Sequence, residues 1–412
     1  STTDDRRRWI PGGAAIGASD SVLTPVLSVR LARMARFELK NGEDAMPKPD
    51  KRARYRGCLL GGAVGDALGA PVEFLSRDAI LDRFGPDGIS SFAPAYGRLG
   101  AVTDDTQMTL FTAEGLIRSW VRGSLKGITT EVGVTSHAYL RWLQTQSERP
   151  HRDLDLMDEE PGWLFQQREL HHRRAPGNTC LSALKDMRFL GDSPARNNSK
   201  GCGAVMRMAP AGLFVASFDR GLDPAAAFEL GTDLSAITHG HPTGSLTGGA
   251  FAVLILELAR GAALSDALAT AKRSLIERPR HEETLLALES AQRLADQDID
   301  HPTAIRQLGK GWVAEEALAI SVYCALVAED FRQGIMLAVN HDGDSDSTGS
   351  ITGNLLGVAQ GVDAIPADWL EELELRDVIA EVADDLCDFP GWEISDYDYG
   401  EGSLTDRIWR KY

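Results

Sequence analysis

Apolar residues along the chain recur mainly at intervals of three and four. In DDTQMTLFTAEGLIRSW, residues 104–120, Leu110, Ala113, Leu116, Ile117 and Trp120 fall on one face at about 100° per residue, the signature of an amphipathic helix. The same period predicts helices near residues 225–237, 246–260, 262–276, 282–297, 314–328, 330–339, 351–360 and 367–387. No convincing run alternates apolar and polar positions as a half-buried strand would. The pattern predicts an all-α fold, with one domain over 52–412 behind an extension over 1–51. More polar stretches at 87–103, 149–179 and 190–204 read as loops. The most apolar stretch, LTGGAFAVLILELA at 246–259, is short for a bilayer span and reads as a buried helix. The C-terminal segment is expected to fold back and bury Trp409 and Tyr412.

Glycine sharpens this picture. In GCLLGGAVGDALGAP, residues 57–71, Gly61, Gly65 and Gly69 repeat every fourth position and share nearly one helix face. Each interior glycine costs roughly 1 kcal/mol relative to alanine, so another backbone is expected to come very close. Packing explains these glycines but not Asp66 among them.

The composition, 43% hydrophobic and 25% charged over 412 residues, is that of a globular protein with ample core. A net charge of −17 argues against general nucleic-acid binding. The charge is uneven. Residues 1–56 carry 12 Lys or Arg against 7 Asp or Glu, net +5, which leaves −22 for the rest. The N-terminal element is therefore either a basic tail or an arm that docks on this chain or a partner. Its stretch SVLTPVLSVRLARMARFEL is more apolar than most disordered tails. Five scattered cysteines form no CxxC pair and read as free thiols in a reducing compartment. No N-terminal segment has a charged-then-apolar leader pattern. These features predict a cytoplasmic protein that does not use a membrane.

Two acidic clusters point to chemistry. NHDGDSDSTGS, residues 340–350, places Asp342, Asp344 and Asp346 at alternate positions, followed by Ser347 and Thr348. A solvated loop could carry that charge, but a hard divalent cation would require it, since such ions take oxygen ligands. An EF-hand is excluded: its glycine and final glutamate positions hold Ser347 and Gly353. Far upstream, VTDDTQM presents Thr103, Asp104, Asp105 and Thr106 at an expected helix start. Capping needs one such side chain, and four in a row exceed it. If the clusters converge, five carboxylates repel strongly unless cations sit between them. Oxygen-only ligation favours Mg2+ or Mn2+ over zinc, which takes His or Cys.

GCLLGGAVGDALGAPVEF, VTDDTQM, GCGAVMRMAP, THGHPTG and NHDGDSDSTGSITGNLLG resemble, in that order, motifs of the ADP-ribosylglycohydrolase family over residues 52–390. The resemblance implies a compact orthogonal multi-helix domain with a binuclear Mg2+ or Mn2+ centre in a cleft. It implies metal-assisted hydrolysis of the bond between the distal ribose of ADP-ribose and an acceptor on a modified protein, most often arginine. Carried over by motif, Thr103, Asp104, Asp105, Asp344, Asp346 and Ser347 are metal ligands. Many members have Thr where this chain has Ser347, which leaves Thr348 in reserve. Asp342 falls outside the ligand set, beside it or solvated. Glu73, Asp105 and Asp344 form the catalytic set, with Glu73 acting as general base or serving the leaving group. Gly201 and Gly203 are expected to meet phosphate and ribose through backbone N–H groups, and His239 to border the same site; His241 and His341 are weaker candidates. Asp66 is expected to be structural or to support the ligands, and Arg207 to be a structural ion-pair partner. Other acceptors remain open: serine, O-acetyl-ADP-ribose or a nucleobase. So does an immunity role, in which the basic arm binds a cognate ADP-ribosyltransferase while the domain reverses its product. A monomer is expected.

Overall fold

The computed structural model describes residues 49–152, 154, 161–218, 223–398 and 400–412. They belong to the unit Pro49–Tyr412. The arm expected at 1–51 lies outside the described residues, apart from its last three. Helices account for most of this unit: α1 Lys51–Gly69, α2 Arg77–Phe84, α3 Asp104–Lys126, α4 Glu131–Thr145, α5 Asn178–Asp186, α6 Ala209–Ser217, α7 Pro224–Ala236, α8 Pro242–Ala259 and α9 Leu264–Ile276. The remainder are α10 Glu282–Ala295, α11 His301–Leu308, α12 Ala314–Val327, α13 Phe331–Val339, α14 Ser345–Gln360, α15 Ala367–Glu372, α16 Arg376–Asp388 and α17 Leu404–Lys411. Among the described residues the extended pairing is limited to two isolated bridges, Ala95 with Arg98 and Gly201 with Val313. The all-α expectation holds.

Helix α1 begins where Asp50 accepts a hydrogen bond from the Ala53 N–H at 2.7 Å. Lys51, Arg52, Arg54 and Arg56, basic residues at the end of the positive N-terminal stretch, are thus helical. Arg52 and Arg56 pair with Asp384 of α16 at 3.1 and 2.6 Å.

The expected close approach is to α14, antiparallel to α1. A Cβ added at Gly57, Gly61, Gly65 or Gly69 would fall 2.2, 2.4, 2.0 and 2.3 Å from the carbonyl oxygens of Gly357, Gly353, Gly349 and Ser345. The ladder is reciprocal: a Cβ at Gly357, Gly353 or Gly349 would meet Gly57, Gly61 or Gly65 oxygen at 1.9, 2.0 and 2.4 Å. Asn354 fastens it, donating Nδ2 to the Cys58 carbonyl at 2.8 Å. The last rung places the N-terminus of α14, with its aspartates, against the C-terminal turn of α1.

Helix α8 starts four residues earlier than the apolar run suggests. At 18 residues it is long and apolar enough to cross a membrane by length and composition alone, yet it is almost wholly buried within the fold. The expected segment 367–387 is two helices. Leu375 adopts φ +58 between them. Just before it, the Glu374 carboxylate turns inward to Arg98 at 2.9 Å, to buried Arg174 and to the Val102 N–H at 3.1 Å. The chain end folds back as expected: Tyr412 is buried, stacks on Trp392 with ring centroids 5.9 Å apart, and its hydroxyl donates to Asp385. Trp409 stays half-buried under Lys126.

Candidate metal centre

Three chain segments meet at the end of the glycine ladder. The first is the C-terminal turn of α1 and the turn after it, carrying Asp66 and Glu73. The second is the N-terminus of α3, where Thr103 is the cap and accepts from the Asp105 N–H at 3.3 Å. The third is the N-terminus of α14. Asp344 occupies the cap position there, but its side chain makes no capping bond, which leaves its carboxylate to point elsewhere. The Asp344 N–H is held by the Lys310 carbonyl at 2.8 Å.

Asp66 joins the first two segments. Its carboxylate accepts from the Thr103 N–H at 2.9 Å, the Thr106 N–H at 3.1 Å and the Thr106 hydroxyl at 2.5 Å. Its oxygens are thereby committed to structure. Arg174 and Glu374 do the same one residue earlier, gripping the carbonyl and N–H of Val102. Nothing in the periodicity of the chain marks this pair, which lies 200 residues apart in sequence.

Six carboxylates are buried here: Asp66, Glu73, Asp104, Asp105, Asp344 and Asp346. Oxygens of Glu73, Asp344 and Asp346 lie within 4.8 Å of one another. Glu73 Oε2, Asp105 Oδ1 and Asp344 Oδ2 have no hydrogen-bond partner among the described residues. Asp104 receives the Gly177 N–H at 3.2 Å and Asp346 the Ser347 N–H at 2.9 Å. Burial raises every one of these groups, and repulsion from neighbouring carboxylates adds to it in all but Asp346. Glu73 is pushed up to about 11 by burial and then by the charges of Asp346, Asp344 and Asp104. Asp66 rises to about 7 by burial and the Asp346 charge. Burial, and then Asp346, lift Asp104, Asp105 and Asp344 well above the carboxylate range. Burying a charge costs several kcal/mol unless it is compensated. A cation among these oxygens compensates it, and the unpaired atoms are all oxygens, the donor set of a hard ion. The acidic group can therefore hold a metal ion.

The neighbouring hydroxyls are sorted by their partners. The Ser347 hydroxyl and the Cys202 thiol lie beside Asp344, near enough to hold its carboxyl down against the effect of burial. Thr348 is spent elsewhere, its Oγ1 donating to the Ala338 and Asp344 carbonyls at 2.7 and 2.8 Å and meeting His341 Nε2 at 2.9 Å. That removes its reserve role. Asp342 is half-buried and turned away, accepting from the Arg77 N–H at 2.8 Å at the start of α2. Cys202 is the residue the sequence reading missed. Its place between Gly201 and Gly203 was the available signal.

Gly201, Gly203 and His239 form one wall. A Cβ at Gly203 would lie 3.2 Å from His239 Cε1, and one at Gly201 3.4 Å from His239 Nε2. The Gly201 N–H itself donates to Ser199 Oγ at 3.3 Å. His239 Nδ1 lies 2.8 Å from Thr238 Oγ1, which also accepts from Arg207 Nη2 at 2.7 Å. The ring tautomer decides which of the two donates in that contact, since the hydroxyl can accept twice, and Nε2 faces the glycines. Burial and the Arg207 charge lower His239 to about 3, so the ring is neutral. Arg207 is structural, but among the described residues it has no ion-pair partner. It donates to the Tyr139 hydroxyl at 2.9 Å, Thr238 and the Gly203 carbonyl, and sits over the Tyr139 ring at 4.7 Å. His341 meets Thr348 through Nε2, its buried Nδ1 having no partner among the described residues, and His241 caps α8 by accepting from the Thr243 N–H at 3.2 Å.

A sequence model of the family described as ADP-ribosylglycohydrolase matches residues 47–393. An uncharacterized protein of Archaeoglobus fulgidus is 31% identical over 340 residues, covering 81% of this chain and 95% of that one. The ADP-ribosyl-[dinitrogen reductase] glycohydrolase of Rhodospirillum rubrum is 27% identical, covering 80% and 94%. The ADP-ribosylarginine hydrolase Tri1 of Pseudomonas putida is 26% identical, covering 81% and 78%. A solved structure titled ADP-ribosylglycohydrolase-related protein complex superposes with a TM-score of 0.60 at 26% identity, covering 82% of this chain and 98% of that one.

Proposed function

This chain belongs to the ADP-ribosylglycohydrolase family, and on that premise we propose that it removes ADP-ribose from modified arginine side chains of a protein by hydrolysing the N-glycosidic bond. The observation that carries the proposal is the convergence of unpaired, buried oxygens from Glu73, Asp105 and Asp344, three segments distant in sequence. The arginine acceptor follows the activity named for Tri1.

Thr103, Asp104, Asp105, Asp344, Asp346 and Ser347 are proposed to hold two divalent cations, Mg2+ or Mn2+. When bound, the ions supply a Lewis-acid grip on the hydroxyls of the distal ribose. Thr103 fits this set because its backbone is locked by Asp66, and Ser347 because its hydroxyl lies beside Asp344. Cleavage of a glycosidic bond passes through an oxocarbenium-like state. The carboxylates around the anomeric carbon stabilise the positive charge that develops only there, which is the condition for rate acceleration. Glu73, with Oε2 unpartnered, holds or takes the proton that moves between water and the leaving nitrogen. Gly201, Gly203 and neutral His239 offer an uncharged wall for the ribose and phosphate.

The test is release of ADP-ribose from an ADP-ribosyl-arginine protein, with and without EDTA. Release that needs Mg2+ or Mn2+ is expected. Release unaffected by EDTA refutes the metal-dependent mechanism, and release only from a serine-linked substrate refutes the acceptor.

A further inference from the structure

Two large rings stand exposed beside the carboxylates. Phe74 is 71% exposed and Trp312 40% exposed. They stack on each other, centroids 5.8 Å apart and planes 16° from parallel. Each is tied to the acidic group by its own backbone. Phe74 follows Glu73 directly. Trp312 follows Gly311, where a Cβ would lie 3.3 Å from Asp344 Cβ. The Trp312 carbonyl also accepts from the Cys202 N–H at 3.1 Å, and the Cys202 thiol lies beside Asp344. A third ring is near: Tyr96, 44% exposed at φ +51, has its hydroxyl raised by burial and by the charges of Glu73 and Asp346. Rings that served only the core would be buried. These two meet from segments far apart in sequence and remain in water.

We propose that Phe74 and Trp312 form the platform for the acceptor side chain, taking the guanidinium of the modified arginine against their faces. The inference rests on the arginine-hydrolase reading above. A guanidinium is planar, cationic and weakly hydrated, so it stacks on aromatic faces. The rings also flank Glu73 and Asp344, where the scissile bond lies, and the acceptor is attached to that bond. The adenine is separated from it by a diphosphate and a second ribose. A serine-linked acceptor offers these rings neither a plane nor a charge. The pair therefore acts on specificity, as a positioning device.

The experiment compares Phe74→Ala and Trp312→Ala with the conservative Phe74→Tyr and Trp312→Phe. Steady-state kinetics use ADP-ribosyl-arginine protein with Mg2+, agmatine serves as a guanidinium competitor, and calorimetry gives the affinity for free ADP-ribose. In the alanine variants kcat/KM is expected to fall on the order of tenfold, mainly through KM. Agmatine inhibition should vanish, ADP-ribose affinity should hold, and the aromatic replacements should restore activity. Unchanged kcat/KM in the alanine variants overturns the proposal. So does a matching loss of ADP-ribose affinity, which would assign the rings to the nucleotide. Wild-type protein that fails to cleave the arginine linkage at all refutes the arginine reading instead, and the platform with it.

Discussion

Helices α1 and α14 run together from a dry end to a charged one, and the two ends are built on opposite principles. Along the ladder, Gly57 to Gly65 and Gly349 to Gly357 lie backbone against backbone, with carbonyls filling the space a methyl group would need. At the far end, where Gly69 meets Ser345, the same helices carry Asp66, Asp346 and the adjoining Glu73 and Asp344. There, among the described residues, buried oxygens of Glu73, Asp344 and, from α3, Asp105 are left unpaired. One end leaves only neutral atoms unpaired among the described residues, Thr352 Oγ1 and Asn354 Oδ1, and buries no charge. The other places like charges in a low dielectric and becomes complete only with protons or cations. The rigidity of the first makes the second possible, because a looser helix pair would splay and let the carboxylates separate.

The comparison is broken most severely at the ladder. Gly353→Ala puts a Cβ 2.0 Å from the Gly61 oxygen, with backbone on both sides and no flexible side chain to give way. A loss of about 3 kcal/mol or more is expected, at or beyond the upper range of overpacking, read as a collapse of the urea midpoint. Gly391→Ala, with nothing within 4 Å of the added atom, is the control and should leave the midpoint unchanged.

A change at the charged end should do the reverse. Asp346→Ala is expected to lower ADP-ribose release by about a hundredfold or more. In EDTA the variant should melt no lower than wild type, since it removes the charge that raises Glu73, Asp104, Asp105 and Asp344. A variant that keeps full turnover with added Mg2+ would remove Asp346 from the site.

The smallest effect is a pH dependence. The folded-state values of Asp66 and Glu73 are raised from 3.8 and 4.5 to about 7 and about 11. The folded state thus binds protons that the unfolded chain releases. Their contribution is fully present below about pH 4 and is lost as pH rises through the folded values. In EDTA the melting temperature should fall steadily from pH 5 to pH 9, by about a few degrees. With Mg2+ present the fall should flatten, because cations replace the protons. A flat profile in EDTA would mean that the carboxylates are not in one field.

Much of this was readable along the chain, for reasons that differ by element. Helices with one apolar face, such as α10 and α13, announce themselves by period. Helix α6, APAGLFVAS, is apolar on all sides and has no face to detect. The break at Leu375 is not marked by period, and beside it Arg98 and Arg174, far away in sequence, hold Glu374 inward. The acidic residues were legible because alternating aspartates followed by hydroxyls exceed what capping needs. Their division of labour is only partly so: the family resemblance sets Asp66 and Asp342 apart from the ligands, whereas the commitment of Thr348 to backbone carbonyls shows only in its hydrogen bonds.

The sequence by itself determined the helical class, the glycine faces and the oxygen-rich donor set, because each is written in local spacing and residue type. Tertiary structure decided which oxygens stay unpaired, that Cys202 lies beside Asp344, and that Phe74 meets Trp312. Those are facts of proximity between segments hundreds of residues apart, and spacing along the chain does not encode them. They follow from where two glycine-lined helices are able to touch.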